Sequence, residues 1–352
     1  MNSSRAFWQN RRVLLTGHTG FKGAWLGLWL SRMGAEVTGI ALPPDNTPNL
    51  FQLLSLDTRI QSNFCDIGDQ HRLANLVAKS DPEIVFHLAA QPLVLRGYRD
   101  PILTFETNVL GTAKVLEILR TAPQLRAIVV ITTDKVYDNL ETLRPYCETD
   151  ALGGHDPYSA SKAACEIVTT SYRKSFFAEK DIALSTARAG NVIGGGDWAE
   201  DRLIPDAIRK WEAGETLYLR HPEAIRPWQH VLDPLSGYLS LAEASYNAPN
   251  IAGAYNFGPN IADAASVRTV IDAAREAYGS GLVEFGNHQP GPHEASILRL
   301  DNTKAACSLG VTPHWDLTES ISRTMSWYRE WYRGRDPVQL CERDIVAYED
   351  AR

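Results

Sequence analysis

A tyrosine and a lysine four residues apart are the first pair in this chain that can do chemistry. Tyr158 and Lys162 stand at the start of a segment with helical periodicity, residues 156–177. Residues four apart share one face of a helix, so the ammonium of Lys162 can lie beside the phenol of Tyr158. A phenol with a pKa of about 10 is a poor base at neutral pH, and an adjacent cation lowers that pKa. The pair therefore predicts a base for a substrate hydroxyl, although an exposed tyrosine beside a solvated lysine has the same spacing.

A second polar group follows an apolar run at residues 127–132, which is typical of a buried strand. It consists of Thr133, Asp134 and Lys135. Doubly wound sheets bind ligands at the carboxyl ends of their strands, so we expect these side chains in the same site as Tyr158. A carboxyl group and an amine can act there as acid and base if a closed, dry site keeps the first protonated and the second neutral. The alternative is a surface ion pair in a turn.

Three glycines stand between a predicted strand at residues 12–16 and a predicted helix at residues 24–33. Gly17, Gly20 and Gly23 allow a tight turn and close approach of the backbone to a pyrophosphate, and the helix N-terminus adds free N–H groups. The spacing GxxGxxG is a weak signal by itself, but its place between strand and helix favours a dinucleotide cradle. An oxidised nicotinamide bound there would add to the positive charge beside Tyr158.

The end of the second predicted strand, residues 36–42, does not decide between NAD and NADP. An acidic residue there usually holds the ribose hydroxyls of NAD, and a basic residue suits NADP. Residues 40–44 read IALPP and contain neither, and the first carboxylate is that of Asp45. We therefore expect modest affinity for the dinucleotide.

The elements that must hold these groups alternate regularly in the first half of the chain. A short strand is predicted to end at residues 63–66 and another covers 83–89, with helices at 69–79 and 101–119. Apolar strands alternating with helices indicate a parallel sheet covered on both faces, which is an α/β fold of the Rossmann type with a doubly wound sheet.

Beyond about Gly194, glycines and prolines divide the chain into shorter pieces. The predicted strands there are 216–219, 255–257 and 282–285, and the predicted helices lie near 203–212, 236–245, 267–277 and, as the final helix, 317–332. We expect residues 1–190 to form the dinucleotide-binding domain with the Tyr158 helix. Residues 191–352 are expected to form mainly a smaller C-terminal α/β lobe for substrate, with room for part of the chain to return to the sheet. The ligand site is expected in the cleft between them.

The composition is that of an ordinary globular protein. The 352 residues are 44% hydrophobic and 22% charged, and the formal net charge is −7 with scattered basic residues. This balance disfavours nucleic acid or an anionic membrane as the main partner. The five cysteines are widely spaced and odd in number, which favours free thiols in a reducing compartment over disulfides or zinc, and no metal site is expected. With no signal peptide or membrane span in the sequence, we expect a cytoplasmic protein.

Four motifs in the same order resemble those of the extended short-chain dehydrogenase/reductases. They are TGHTGFKG at 16–23, CDI at 65–67, HLAAQ at 87–91 and NVLGT at 108–112. The resemblance implies NAD as the cofactor and a homodimer or homotetramer, paired through helices 101–119 and 156–177. The residues that it implies for cofactor binding are Gly17, Thr19, Gly20, Phe21, Lys22, Gly23, Asp66, Ile67, Leu88, Ala89, Ala90, Asn108, Thr132, Tyr158 and Lys162.

Within that family, TTDKVYDN at 132–139 is similar to the sugar-nucleotide 4,6-dehydratases, and in particular to the branch that acts on CDP-glucose. Most of these enzymes carry Asp-Glu where this chain has Asp134-Lys135. The resemblance implies conversion of CDP-glucose to CDP-4-keto-6-deoxyglucose, in deoxysugar synthesis for bacterial polysaccharide such as the lipopolysaccharide O-antigen. It implies Thr133 as the partner of the reacting hydroxyl, Tyr158 as its base and Lys162 as a ligand of the nicotinamide ribose. Asp134 is then the acid and Lys135 the base of the elimination.

Two later segments resemble the substrate loops of the family, residues 188–198 and 226–233. Asn191 is expected to bond the diphosphate or the hexose, and the guanidinium fork of Arg226 fits phosphate oxygens. Arg202 is a second candidate for a phosphate or base contact, and Gln91 is expected on the substrate side of the HLAAQ motif.

Three other functions fit parts of this pattern. A nucleotide-sugar 4-epimerase or plain dehydrogenase needs Thr133, Tyr158 and Lys162 but has no use for Asp134 and Lys135. A 4,6-dehydratase of a dTDP- or GDP-hexose needs all five. A redox sensor that binds the dinucleotide without turnover often lacks the Tyr or Lys that this chain keeps.

Overall fold

A computed structural model describes residues 5–286 and 295–351 of the chain. The described strands are β1 (Arg12–Thr16), β2 (Glu36–Ala41), β3 (Gln61–Phe64), β4 (Ile84–His87), β5 (Ala127–Ile131), β6 (Ala183–Ala189), β7 (Val192–Ile193), β8 (Thr216–Leu219), β9 (Ile225–Arg226), β10 (Gln229–His230), β11 (Ala254–Phe257), β12 (Ala265–Ser266) and β13 (Leu282–Phe285).

The described α-helices are α1 (Arg5–Trp8), α2 (Phe21–Arg32), α3 (Leu50–Leu53), α4 (Gln70–Ser80), α5 (Val94–Arg99), α6 (Pro101–Phe105), α7 (Thr112–Leu119), α8 (Pro157–Tyr172), α9 (Leu203–Glu212), α10 (Leu232–Asn247), α11 (Val267–Tyr278), α12 (Thr303–Leu309), α13 (Leu317–Tyr332) and α14 (Pro337–Asp350). A π-helical segment, Glu106–Gly111, joins α6 to α7, and another, Arg173–Phe177, extends α8.

Seven strands form one sheet in the order β11-β6-β5-β4-β1-β2-β3, and all neighbouring pairs are parallel. From β3 to β6 this is the strand order 3-2-1-4-5-6 of a doubly wound dinucleotide-binding fold. The order reverses between β1 and β4, so a crevice opens at the carboxyl ends of these two strands. The predicted Rossmann-type α/β fold is confirmed.

Both faces of the sheet are covered by apolar side chains. Leu14 and Val85 belong to one buried cluster and Leu15 and Phe86 to another, because successive residues of a strand point to opposite faces. Strands buried on both faces are mostly apolar, which is why β5 and the first three residues of β4 read as continuous apolar runs in the sequence.

The later part of the chain forms smaller pieces. Three two-stranded pairs, β7–β10, β8–β13 and β9–β12, lie outside the main sheet, and α9 and α11 pack with them. The chain between these pieces also contributes to the main sheet, since β11 pairs with β6 and α10 packs on β5 and β6. A division at residue 190 stays a prediction.

Several predicted boundaries need correction. The helix predicted at 24–33 begins at Phe21, the strand predicted at 83–89 is limited to Ile84–His87, and the helix predicted at 236–245 extends over Leu232–Asn247. The helix predicted to be the last, at 317–332, is followed by α14. No strand is predicted between residues 177 and 190, although β6 lies there, because the polar Ser185, Thr186 and Arg188 interrupt its apolar pattern while being buried.

Within the described residues, no helix combines the length and the apolar character that crossing a membrane requires. The five cysteines, all of which lie in the described part, are free thiols.

Candidate active site

A cleft of about 720 Å³ lies at the carboxyl ends of the central strands. The sheet side of its wall includes Lys22, Thr133, Lys135 and Tyr158, and the other side includes Asn191 and the arginines at 202 and 226. The structure therefore gathers most of the predicted chemical residues around one space.

The glycine turn joins β1 to α2 beneath this cleft. Gly17 has a φ of 78°, and a Cβ there would lie 2.7 Å from the backbone nitrogen of Ala89 at the end of β4. A Cβ on Gly23 would lie 2.1 Å from the carbonyl oxygen of Gly17. No side chain caps the N-terminus of α2, whose capping residue is Gly20. This turn therefore fits the predicted pyrophosphate, because it combines a close backbone approach with uncapped N–H groups.

Other residues predicted to contact the cofactor surround the turn. Leu88, Ala89 and Ala90 directly follow β4, and the ring of Phe21 lies against Gly194. The hydroxyl of Thr19 donates to the carbonyl oxygen of Leu42 at 2.9 Å.

Beyond β3, Asp66 and Ile67 lie at the same edge of the sheet. Ile67 is buried against Gly111, whereas Asp66 is exposed and its Oδ1 accepts from the backbone of Gly68 at 2.7 Å. Their predicted contacts with the cofactor stay a prediction.

The end of β2 offers no carboxylate close to the turn. Asp45 has 85% of its side chain exposed and lies 3.8 Å from Arg96. The imidazole of His18 lies inside instead, 2.7 Å from the hydroxyl of Ser62, and burial lowers the pKa of His18 to about 4. A neutral imidazole therefore lies where the glycine turn meets the second and third strands.

Tyr158 and Lys162 lie on the buried face of α8, which begins with Asp156 as its N-cap and Pro157 in its first turn. Lys162 Nζ donates to the carbonyl oxygen of Ile131 at 3.1 Å, and burial lowers the pKa of this lysine. Burial has the opposite effect on the phenol: it raises the pKa of Tyr158 to about 12, and the charge of Asp134 adds to the rise. A hydrogen bond with Thr133 and the charge of Arg202 lower this pKa in part.

Asp134 and Lys135 form a short 3-10 turn, Asp134–Val136, directly after β5. Asp134 is fully buried, and its Oδ1 lies 3.1 Å from Lys135 Nζ and accepts from the hydroxyl of Thr133 at 3.0 Å. Its Oδ2 is buried without a hydrogen-bond partner among the described residues. The side chain of Lys135 is 29% exposed and borders the cleft. Asp134 itself is not among the residues of the described cleft wall, so the pair joins a buried carboxyl group to an amine at the cleft and is not the surface pair of the alternative.

Lys22, which lies on the glycine turn, interacts electrostatically with Asp134, Lys135 and Lys162. Burial, followed by the charges of Arg202, Lys162 and Lys135, lowers the pKa of Lys22 to about 7, while Asp134 opposes that change. The sequence places Lys22 with the cofactor, and the structure brings it within electrostatic range of the acid–base residues as well.

The predicted substrate residues divide into two groups. Asn191 borders the cleft, and its Oδ1 is buried without a hydrogen-bond partner in the described structure. Arg226 also borders the cleft and donates to the carbonyl oxygen of Ile225 at 2.9 Å. Arg202 is held by Asp197 at 2.8 Å and lies close enough to influence the pKa of Tyr158.

Gln91, in contrast, is absent from the described cleft wall, and so is Asn108, which was predicted to bind the cofactor. Gln91 Nε2 donates to Thr104 at 2.9 Å, and its Oε1 accepts from the backbone of Leu93 at 2.7 Å. Asn108 bonds the backbone of Gln91 and, at 2.9 Å, the hydroxyl of Ser161 on α8. These two amides fasten the loop after β4 to the helix of Tyr158.

Sequence reasoning missed three residues that hold this site together. Asp197 positions Arg202, and the buried pair of Glu166 and Arg188 lies behind the Asp134 turn. Glu166 could have been noticed, because it follows Lys162 by four residues on the same helical face. The sequence positions of Asp197 and Arg188 give no comparable indication of their contacts. No cluster of three His, Cys, Asp or Glu side chains that could hold a metal occurs in residues 5–286 and 295–351.

Comparison with known proteins identifies the family. Residues 14–324 match the family model described as GDP-mannose 4,6 dehydratase. The chain is 46% identical to a CDP-glucose 4,6-dehydratase of Salmonella typhimurium, with 98% of each protein covered. It is 27% identical to a dTDP-glucose 4,6-dehydratase of Xanthomonas campestris, over 91% of this chain and 95% of that protein.

Solved structures are similar in fold. A dTDP-glucose 4,6-dehydratase of Streptomyces venezuelae with NAD bound has a TM-score of 0.77 and 24% identity, and it covers 93% of this chain and 99% of its own. A UDP-glucose-4-epimerase of Stenotrophomonas maltophila, also with NAD bound, has a TM-score of 0.79 and 21% identity, covering 93% and 100%. On the extent of the family match and the level of identity to the Salmonella protein, this chain belongs to the GDP-mannose 4,6-dehydratase family of the extended short-chain dehydrogenase/reductases.

Proposed function

We infer that this protein is an NAD-dependent 4,6-dehydratase that converts CDP-glucose to CDP-4-keto-6-deoxyglucose with loss of water. The observation that carries this function is the contact, at 3.1 Å, of the buried Asp134 with Lys135, which borders the same cleft as Tyr158. Oxidation of the hexose at one carbon requires a base, and the phenol of Tyr158 is sufficient for that step. A carboxyl group and an amine beside it supply the acid and the base that removal of water also requires.

The glycine turn is the proposed site of the cofactor. When bound there, NAD would supply the acceptor for the hydride of C4 and, in the same turnover, its donor to C6. The free N–H groups at the start of α2 would hold its pyrophosphate, and Lys162 would bond the ribose next to the nicotinamide. In this arrangement the positive charge of the oxidised ring also lies near Tyr158, where it opposes the effect of burial on the pKa of the phenol.

Tyr158 is the proposed base of the oxidation. It takes the proton of the C4 hydroxyl, while Thr133 holds that hydroxyl in place. The hydrogen bond with Thr133 and the charge of Arg202 favour the phenolate form of Tyr158. The resulting C4 ketone makes the C5 hydrogen acidic, because the carbanion at C5 is delocalised into the carbonyl group.

Asp134 and Lys135 are the proposed pair for loss of water. Lys135 removes the proton from C5 and Asp134 gives a proton to the C6 hydroxyl, which leaves as water. A neutral amine next to a carboxylic acid carries the same number of protons as an ammonium next to a carboxylate. The proposed roles therefore require only that one proton moves along the existing 3.1 Å contact between Lys135 Nζ and Asp134 Oδ1.

The nucleotide diphosphate is proposed to lie along the opposite wall. The guanidinium of Arg226 fits phosphate oxygens. The Oδ1 of Asn191, which has no hydrogen-bond partner in the described structure, can accept from a donor such as a sugar hydroxyl. Arg202 is proposed to contact the substrate close to Tyr158 and thus at the hexose end of the diphosphate. Preference for a cytosine nucleotide is supported by the likeness to the Salmonella enzyme and not by any one side chain.

We further propose a homodimer or homotetramer that acts in the cytoplasm, in deoxysugar synthesis for surface polysaccharide. The helices expected to pair expose large apolar residues, with Ile102 67%, Leu110 55% and Ile167 61% exposed in the single chain. Apolar exposure of this kind on two adjacent helices supports burial against a second copy.

The function is tested by incubating the purified protein with NAD and, separately, CDP-glucose, dTDP-glucose and GDP-mannose. We expect CDP-glucose to lose the mass of one water and to give a 4-keto product that absorbs in alkali. Product of unchanged mass would indicate an epimerase, and preferred turnover of another nucleotide would correct the substrate. Binding of the dinucleotide without turnover of any of the three would indicate a sensor.

A further inference from the structure

Helix α8 carries a third polar residue on the face that bears Tyr158 and Lys162. Glu166 follows at the same interval of four residues and is 1% exposed. Its Oε1 accepts from the hydroxyl of Thr132 at 2.5 Å, and its Oε2 accepts from Thr186 at 2.7 Å and from Arg188 Nη2 at 2.9 Å. The buried carboxylate therefore accepts three hydrogen bonds, at least one on each oxygen.

Arg188 extends this network to the far side of the catalytic turn. Its Nη1 donates to the phenol oxygen of Tyr137 at 3.0 Å, and its guanidinium lies 5.0 Å from the centre of that ring. The hydroxyl of Tyr137 in turn donates to Asn256 Oδ1 at 2.6 Å. Burial alone would lower the pKa of Arg188, but hydrogen bonding and charge from Glu166 outweigh it and raise that pKa.

Thr132 and Tyr137 are the residues that flank the segment 133–136, which contains Asp134 and Lys135. One end of that segment is thus bonded to Glu166 and the other to Arg188, and the two charged groups are bonded to each other. Since Glu166 lies on α8, the segment is tied directly to the helix that carries Tyr158.

The ion pair of Glu166 and Arg188 does not contact the space where substrate would bind. In the described structure neither Glu166 nor Arg188 borders the cleft, and their side chains are 1% and 4% exposed. Burying two charges costs about as much free energy as their attraction returns, so such a pair is poor evidence for a role in stability alone. Its fixed geometry, in contrast, determines where the bonded groups lie.

We propose that Glu166, Arg188, Thr132 and Tyr137 form a clamp that positions the Asp134–Lys135 turn against the Tyr158 helix, so that loss of water follows oxidation at C4. Glu166 and Arg188 are positioning residues that act through Thr132 and Tyr137, both of which border the cleft, and the inference rests on the proposed dehydratase function. Loosening the Tyr137 end shifts Asp134 and Lys135 relative to C5 and C6 of the hexose but leaves Tyr158 in place. Oxidation then continues while elimination slows.

The test removes one link of the clamp in two ways. Tyr137→Phe deletes the hydroxyl and keeps the ring, and Arg188→Lys keeps a cation for Glu166 but loses the second arm of the fork. Single turnovers are stopped with borodeuteride, which reduces any ketone and labels its carbon with deuterium. The masses of the sugars are then measured by mass spectrometry. The measured quantity is the ratio of 4-ketohexose that has kept its water to 4-keto-6-deoxyhexose.

In both variants we expect this ratio to rise at least about tenfold, because displacement of catalytic groups by about 1 Å costs up to about 100-fold in rate. The double variant should resemble the single ones, since both substitutions cut the same link. The control is Tyr255→Phe, which removes a buried phenol hydroxyl that donates to the carbonyl oxygen of Ile251, away from the turn. A clamp that serves only stability would lower total product in step with the amount of folded protein and leave the ratio unchanged.

An unchanged ratio in folded Tyr137→Phe or Arg188→Lys protein, or an equal rise in Tyr255→Phe, overturns the clamp while the dehydratase function stands. Wild-type protein that forms no 4-keto-6-deoxy sugar from any nucleotide hexose overturns the proposed function, and the role of the clamp in water loss with it.

Discussion

The two parts of the candidate site are held in different ways. On α8, Tyr158 and Lys162 are placed by regular helical spacing, and the helix start is fixed locally by Asp156, whose Oδ1 accepts from the backbone of Ser159 at 3.0 Å. The turn that carries Asp134 and Lys135 has only three residues of 3-10 helix and is held by residues far along the chain. The base for oxidation thus depends on local structure, and the pair for water loss depends on tertiary contacts.

Removing the phenol should affect both chemical steps, because elimination needs the ketone that oxidation produces. We expect Tyr158→Phe to lower product formation by about 10⁴-fold, the upper range for loss of a general base. Neither 4-ketohexose nor 4-keto-6-deoxyhexose should accumulate in the borodeuteride assay.

Tyr172→Phe is the matched control for that variant, since Tyr172 lies on the same helix and bonds the exposed Glu117 at 3.2 Å. It should retain wild-type turnover. Substantial turnover by Tyr158→Phe would remove the phenol from the mechanism.

Removing the amine should separate the two steps. We expect Lys135→Met to lower 4-keto-6-deoxy product by about 10³-fold, within the range for loss of a general base, while 4-ketohexose still forms. Asp134→Asn should give the same pattern, because the C6 hydroxyl then lacks its acid. Cofactor binding, measured by calorimetry, should persist in both variants.

Wild-type-like water loss in either variant would contradict the assigned acid and base. Loss of oxidation together with elimination would show instead that the turn and the helix act as a single unit.

This contrast also explains how much could be predicted from the sequence. The strands β1, β4 and β5, the glycine turn and the Tyr158 helix follow from apolar runs, glycine spacing and helical periodicity, all of which are local. The positions of Asp134 and Lys135 at the carboxyl end of a strand follow in the same way. Their mutual contact is a consequence of adjacency.

What the sequence did not predict depends on contacts between distant residues. Strand β6 was hidden because Thr186 and Arg188 are polar yet buried, and they are stabilised there only by Glu166 on another element. The burial that raises the pKa of Tyr158, and the inward turn of Gln91 away from the cleft, depend likewise on how neighbouring loops pack. Local pattern carries no information about either.

Lys22 links the two parts of the site and gives the smallest predicted effect. It lies on the glycine turn, and the charges of Lys162 on the helix and of Lys135 and Asp134 on the turn all act on it. Burial and the neighbouring cations lower the pKa of Lys22 to about 7 from an ordinary value of 10.5. Between these two values the unfolded chain holds a proton that the folded chain does not, so the free energy of unfolding rises with pH by at most about 1.4 kcal/mol per pH unit.

Below about pH 7 the lysine is charged in both states, and the full cost of burying its charge is present. We therefore expect Lys22→Met to be more stable than the wild type at about pH 6 and to lose part of this advantage by about pH 9, as measured by urea unfolding without nucleotides. Lys79→Met, at an exposed position of α4, should follow the wild-type pH dependence. Parallel curves for Lys22→Met and the wild type would show that Lys22 keeps its charge in this pH range, and that the cations of the helix and of the turn do not act on it together.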